Sequence, residues 1–117
     1  DVFHPRLERL AVVEDPEGED CRWRDGEHVI VRRVSVTRDL PTQTQRVTMH
    51  YDRERDGRRV ARETTEFSMR WFHRYELEHL LARAGFTDVT LYGDFDRSPF
   101  AAGSPEMIFV ARPGAGA

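Results

Sequence analysis

Three alternating runs between residues 27 and 69, separated by turn-forming residues, restrict what this chain can fold into more than any other feature. In the first, residues 27–40, Ile30, Val34 and Val36 share one face, while Val29 and Val31 begin the other. β-Branched side chains dominate, which favours a strand. Leu40-Pro41-Thr42 then turns the chain. Over residues 45–51, Val47, Met49 and Tyr51 alternate with Arg46, Thr48 and His50, so the first three are expected inward and the last three outward. Residues 52–57 read as a charged hairpin tip ending in the Asp56-Gly57 turn signal. Residues 58–69 supply the third run, with Ala61, Glu63, Thr65, Phe67 and Met69 on one face. Three long strands joined by tight turns make an antiparallel meander. Residues 21–24, stopped by Asp25-Gly26, add a short fourth strand.

Around this meander the chain changes period. From Tyr75 onward Leu77, Leu80, Leu81 and Ala84 recur at three- and four-residue spacing, an apolar stripe on a helix. Gly85 stands where a left-handed residue ends such a helix, and Phe86 folds back on its last turn. Val89 and Leu91 alternate with Thr90 and Tyr92 as a short strand, and residues 107–111 form a fully apolar strand expected at the centre of a sheet. Before the meander, Val2-Phe3 reads as the end of a buried strand, and Pro5 opens a short helix with Leu7, Leu10 and Ala11 inward. Residues 14–20, acidic and containing Pro16 and Gly18, read as a solvent loop, and residues 113–117 as a disordered tail. The expected fold is α+β in a single domain over residues 1–117: a meander of three to four strands followed by helix, strand and strand.

Composition excludes several classes. With 33% charged and 38% hydrophobic residues in 117, the chain is an ordinary globular protein with one core. No transmembrane run or signal segment is visible, so no membrane partner is expected. A net charge of −3 with basic and acidic residues interspersed argues against a nucleic-acid surface. The lone Cys21 rules out an internal disulfide, reads as a small half-buried residue, and fits a reducing, cytoplasmic compartment. All basic residues apart from histidine are arginine, which points to a GC-rich bacterial genome rather than to function.

From Arg70 to Phe100 the chain resembles the C-terminal part of class I S-adenosylmethionine-dependent methyltransferases. The matching residues are Arg70 and Phe72 before the helix, Glu76, Leu77, Leu80 and Leu81 within it, the stop Ala84-Gly85-Phe86, and Tyr92-Gly93-Asp94-Phe95 after the next strand. The closing strand Met107-Ile108-Phe109-Val110-Ala111 continues the match. A subset of that family carries an antiparallel sheet just before the helix, with a glutamine and a tyrosine at set spacing. Gln45 and Tyr51 lie six apart, one short of that pattern.

The resemblance implies the acceptor-side portion of a Rossmann-like methyltransferase, roofing the pocket of a small-molecule methyl acceptor. No glycine-rich nucleotide turn is present, so the cofactor-binding half is expected to be missing. Such a C-terminal fragment is expected to be inactive alone and to bind no S-adenosylmethionine. It is expected to form a homodimer through the sheet edges around Val2-Phe3 and the last two strands. Substrate-lining candidates are Tyr51, Arg70, Phe72, Tyr92 and Asp94, with Arg70 able to clamp an acidic acceptor or to pair with Asp94 or Asp96. His50 is the candidate base, against the competing reading of a solvated surface histidine. Trp71 and Phe72 read as core aromatics. No metal site is expected, since His73 and His79 do not share a helical face. The alternative is a self-standing α+β small-ligand-binding module without catalysis.

Overall fold

A computed structural model describes residues 1–114 of the chain. The fold is α+β, with two antiparallel sheets and two helices among the described residues. In chain order the elements are β1 (Val2–Phe3), α1 (Leu7–Leu10), β2 (Glu14–Asp25), β3 (His28–Asp39), β4 (Thr44–Arg55), β5 (Arg58–Arg70), α2 (Arg74–Arg83), β6 (Phe86–Tyr92) and β7 (Glu106–Pro113). They form two compact units, Leu10–Arg70 and a second made of Asp1–Arg9 with Trp71 onward.

The first unit is the meander, in the order β2-β3-β4-β5. β3 and β4 pair without interruption from Val29 opposite Glu54 to Asp39 opposite Thr44. Between β4 and β5, Gln45 faces Met69, Val47 faces Phe67 and Tyr51 faces Glu63. These registers put Ile30, Val34 and Val36 on one face with Val47, Met49, Tyr51, Phe67 and Met69, so the three alternating runs converge as expected. Ile30 and Val47 are buried. Asp56 and Gly57 both have positive φ, 52° and 75°, the conformation of a two-residue hairpin turn that follows strand twist.

Three expectations need correction. Residues 14–20 are not a loop: they begin β2, which runs from Glu14 to Asp25 as an edge strand. A register shift between Asp15 and Gly18 accommodates Pro16, which has no N–H to donate, and a second shift lies between Glu19 and Cys21. The acidic side chains that suggested solvent are paired with basic groups: Asp15 with Arg38, Glu17 with His50 and Arg62, and Asp20 with Arg32. Asp52 is not part of a hairpin tip either. It lies within β4, opposite Val31 and Arg62, and is 2% exposed. Finally, Pro113 belongs to β7, and the Gly114 N–H donates to the Gly85 carbonyl at 2.7 Å. The rest of the expected tail, residues 115–117, lies outside the described residues.

In the second unit β7 is the central strand, flanked by β1 and β6 and antiparallel to both. Its apolar stretch, residues 107–111, suits a central strand. Met107 and Trp71 are this unit's buried large side chains. The helix α2 starts after His73, whose backbone N–H donates to the Glu76 carboxylate at 3.2 Å, half of a capping box. It ends as expected, with Gly85 at φ 93°. α2 packs along β6. Its apolar stripe is only partly covered, because Leu77 and Leu81 are half-buried while Leu80 is exposed.

Burial assigns the load within this small sheet. Met107→Ala is expected to lower stability by about 3 kcal/mol through the cavity it leaves. Val110→Ala, three residues along the same strand and 54% exposed, should cost under about 0.5 kcal/mol. Urea unfolding of both variants measures the contrast.

Candidate functional site

The turn that follows β6 is built by a close approach that only glycine allows. A Cβ placed on Gly93 would come within 2.9 Å of Ser104 Cβ and 3.0 Å of the Pro99 carbonyl oxygen. The backbone is tied on both sides: Gly93 N–H donates to the Ser98 carbonyl at 2.8 Å, and Glu106 N–H donates to the Gly93 carbonyl at 3.1 Å. Asp94 Oδ1 accepts the Phe95 N–H at 2.8 Å, Asp96 Oδ1 accepts the Ser98 N–H at 2.9 Å, and Arg97 closes the turn at φ 64°. The loop beyond is held in turn, since Ser104 Oγ accepts the Ala101 N–H at 2.9 Å and the Ser104 carbonyl lies 2.7 Å from His4 Nδ1.

This turn encloses a hollow of about 210 Å³ lined by Tyr92, Asp94, Phe95, Arg97, Ile108 and Val110. Its lining is mostly apolar, with Asp94 and Arg97 the charged members. Such a hollow suits a small molecule with an apolar body and a polar group for Asp94 or Arg97 to meet. Phe95 and Arg97 were not singled out from sequence as lining residues. Phe95 was matched in the resemblance, but the fold-back that brings both beside β7 was not legible.

The meander carries a second hollow, of about 260 Å³, lined by Trp23, Asp25, Ile30, Tyr51, Arg53, Ala61 and Glu63. The rings of Trp23 and Tyr51 meet edge to face at 6.4 Å, and Arg53 bonds Asp25 at 3.0 Å. Tyr51 therefore lines this hollow together with Trp23. His50, its sequence neighbour, lies on the opposite face of the sheet, as alternation demands. Both ring nitrogens of His50 are occupied: Nδ1 lies 2.8 Å from Thr64 Oγ1, and Nε2 lies 3.2 Å from the Glu17 carboxylate. Arg70 ends β5 and donates to the Thr42 carbonyl at 3.4 Å, within the meander. Phe72 is half-buried in the link between β5 and α2, and the neighbouring Trp71 is buried, as a core aromatic should be. Of the predicted residues, only Tyr92 and Asp94 are brought together in one hollow.

Asp52 is the residue that sequence reasoning missed. Its carboxylate accepts Arg62 Nε at 2.6 Å and Nη2 at 2.9 Å, and Arg33 Nε at 3.1 Å. Hydrogen bonds from Arg62, joined by those from Arg33, hold its pKa down at about 2, against the opposing pull of burial. Asp52 in turn raises the pKa of Arg62. With its oxygens committed to two guanidiniums, Asp52 is a latch between strands rather than a catalytic group.

In dinucleotide-binding folds the ligand sits at a glycine-rich turn leading from a strand into a helix. Here α1 is entered through His4-Pro5-Arg6 and α2 through Trp71-Phe72-His73. Among the described residues no group of three or more His, Cys, Asp or Glu side chains is placed to hold a metal ion. No helix among them is long and apolar enough to cross a membrane. Comparison with protein families, with curated proteins and with solved structures returns no match.

Two outcomes follow. Gly93→Ala should destabilise the fold by about 2 kcal/mol through overpacking against Ser104 and Pro99, measurable by thermal or urea unfolding. Because the folded pKa of Asp52 lies below the ordinary carboxylate value of about 3.9, its pairing stabilises the fold fully above about pH 4. That contribution is lost as the pH falls through about 2. Asp52→Asn should therefore cost about 2 kcal/mol at neutral pH and flatten the fall in stability over this acid window.

Proposed function

We propose that the chain is the acceptor-side part of an S-adenosylmethionine-dependent methyltransferase, with the hollow after β6 contributing to the pocket for a small-molecule methyl acceptor. The observation that carries the reading is the Tyr92-Gly93-Asp94 turn. The residues that resemble the family's closing motif are the ones that form a tied, concave wall with β7. Further support comes from the order of elements, with the meander placed directly before α2 and the apolar strand last. A third support is the apolar surface of the second unit: Leu80, Phe86, Val89 and Val110 are 36–54% exposed on its helix and strands. A helix and sheet with that much apolar surface fit a larger α/β sheet that covers them.

On this reading the cofactor is held by residues outside this chain, and this chain supplies binding and orientation of the acceptor. Tyr92, Ile108 and Val110 offer apolar contact, while Asp94 and Arg97 orient a polar group. Arg70 and Phe72 carry no assigned contact with the acceptor. The protein is read as cytoplasmic, with its single thiol reduced, and as a homodimer without nucleic-acid or membrane partners. A non-catalytic ligand-binding module is the second reading, favoured by the Trp23–Tyr51 hollow in the meander.

The test uses the product of the complete reading frame that contains this sequence. Tyr92→Ala and Asp94→Asn are expected to reduce methyl transfer at least about ten-fold while calorimetric affinity for S-adenosylmethionine stays unchanged. Unchanged turnover in both variants would contradict the acceptor-side role. Micromolar binding of S-adenosylmethionine by residues 1–117 alone would contradict the placement of the cofactor site.

A further inference from the structure

The two edges of the meander are built differently. β2 carries Pro16 and two register shifts within its first eight residues, devices that keep an edge strand from recruiting another chain. β5 is less guarded: its one bulge, at Val60, lies beside the Asp56-Gly57 turn and leaves the strand from Ala61 onward uninterrupted. It spans thirteen residues, Arg58–Arg70, and contains no proline. Its pairing with β4 is regular from Ala61 to Arg70, and every one of its residues is exposed. Since β4 is its only sheet neighbour among the described residues, about half of its backbone N–H and C=O groups point away from the sheet with no described strand to receive them.

We propose that β5 pairs antiparallel with β5 of a second copy, about a two-fold axis at Thr64, joining two four-stranded meanders into one continuous sheet. Charge selects this register. Pairing about an axis normal to the sheet keeps each face continuous, so every residue meets one of its own parity. With the axis at Thr64, Arg62 stands opposite Glu66 of the partner subunit, and the symmetry repeats that ion pair. On the apolar face Ala61 meets Phe67 of the partner subunit, covering a ring that is 38% exposed in the single chain. Neighbouring registers are poorer. An axis at Glu63 or Glu66 sets two carboxylates face to face, and one at Arg62 sets two guanidiniums face to face. An axis at Thr65 leaves Arg62 opposite serine and Glu66 opposite threonine.

The chosen register also lengthens an existing chain of charge. Arg62 already bonds Asp52, and Glu66 already bonds Arg46 at 2.7 Å. Pairing joins Asp52, Arg62, Glu66 of the partner subunit and Arg46 of the partner subunit in sequence. The sequence alone pointed to contact around Val2-Phe3 and the last two strands. β1 has two residues and offers few groups to pair, and β6, the other edge of that sheet, is interrupted by a register shift between Thr87 and Thr90. The β5 contact does not depend on the methyltransferase reading, because it uses the meander alone.

Light scattering on the unmodified chain at micromolar concentration is expected to give twice the 13.7 kDa monomer mass. In a Cys21→Ser background, Thr64→Cys should cross-link to its own copy on mild oxidation. Directly opposed residues lie about 4.5–5.5 Å apart between Cα atoms, within the range that a disulfide spans. Ser68→Cys is the control, since its two copies would lie roughly 27 Å apart in this register. A monomer by scattering overturns the proposal without recourse to any variant. A dimer in which Thr64→Cys fails to cross-link, or in which Ser68→Cys cross-links as well, overturns it in favour of face-to-face packing.

Discussion

The register between β4 and β5 governs more of this molecule than any single contact. The tight Asp56-Gly57 turn starts the ladder with Arg55 opposite Arg58 and Glu54 opposite Arg59. Continued without interruption, that count would set Val47 against Glu66 and turn the apolar side of β5 toward the charged face. One extra residue, Val60, is left outside the pairing, and from Ala61 onward the ladder is offset by one. The turn chemistry and the hydrophobic pattern conflict by one residue, and the bulge absorbs it.

Two consequences depend on that offset. Val47 meets Phe67 and Gln45 meets Met69, which makes the apolar face continuous across three strands. On the other face Asp52 meets Arg62, and Arg33 approaches from β3, so one buried carboxylate joins the three strands. Removing a carboxylate from water is favourable only when charged donors replace the lost hydration. The arginines meet that condition. Their abundance, which looks from sequence like an accident of codon use, is put to structural work across the charged face, where Arg33, Arg46 and Arg62 each hold an acid.

Much of this was legible from residue patterns alone. Alternation located β3, β4 and β5 and grouped their apolar side chains on one face correctly, although Val31 and Asp52 are buried on the other face and β5 is exposed throughout. The helix stop at Gly85 was legible because an αL position has few alternatives to glycine. The misses share a cause. Residues 14–20 looked like a loop because their charges and proline were weighed without the partners that a neighbouring strand provides. Asp52 looked like part of a turn because its charged run was weighed without the guanidiniums that β3 and β5 bring to it. At the hollow after β6, Tyr92 and Asp94 were found through resemblance. The contributions of Arg97, Ile108 and Val110 required knowing how the turn folds back beside β7.

The two units thus divide their roles. One is a meander held by a continuous apolar face and a charged latch, with one guarded and one open edge. The other is a small sheet around β7 that carries a rigid turn and a hollow, with apolar surface to spare. The account of the meander rests on the offset at Val60, and cross-strand proton contacts measured by NMR test it most directly. The expected pattern joins Asp52 with Arg62 and Val47 with Phe67. Contacts of Asp52 with Ala61 and of Val47 with Glu66 would place the strands in the uninterrupted register and contradict it.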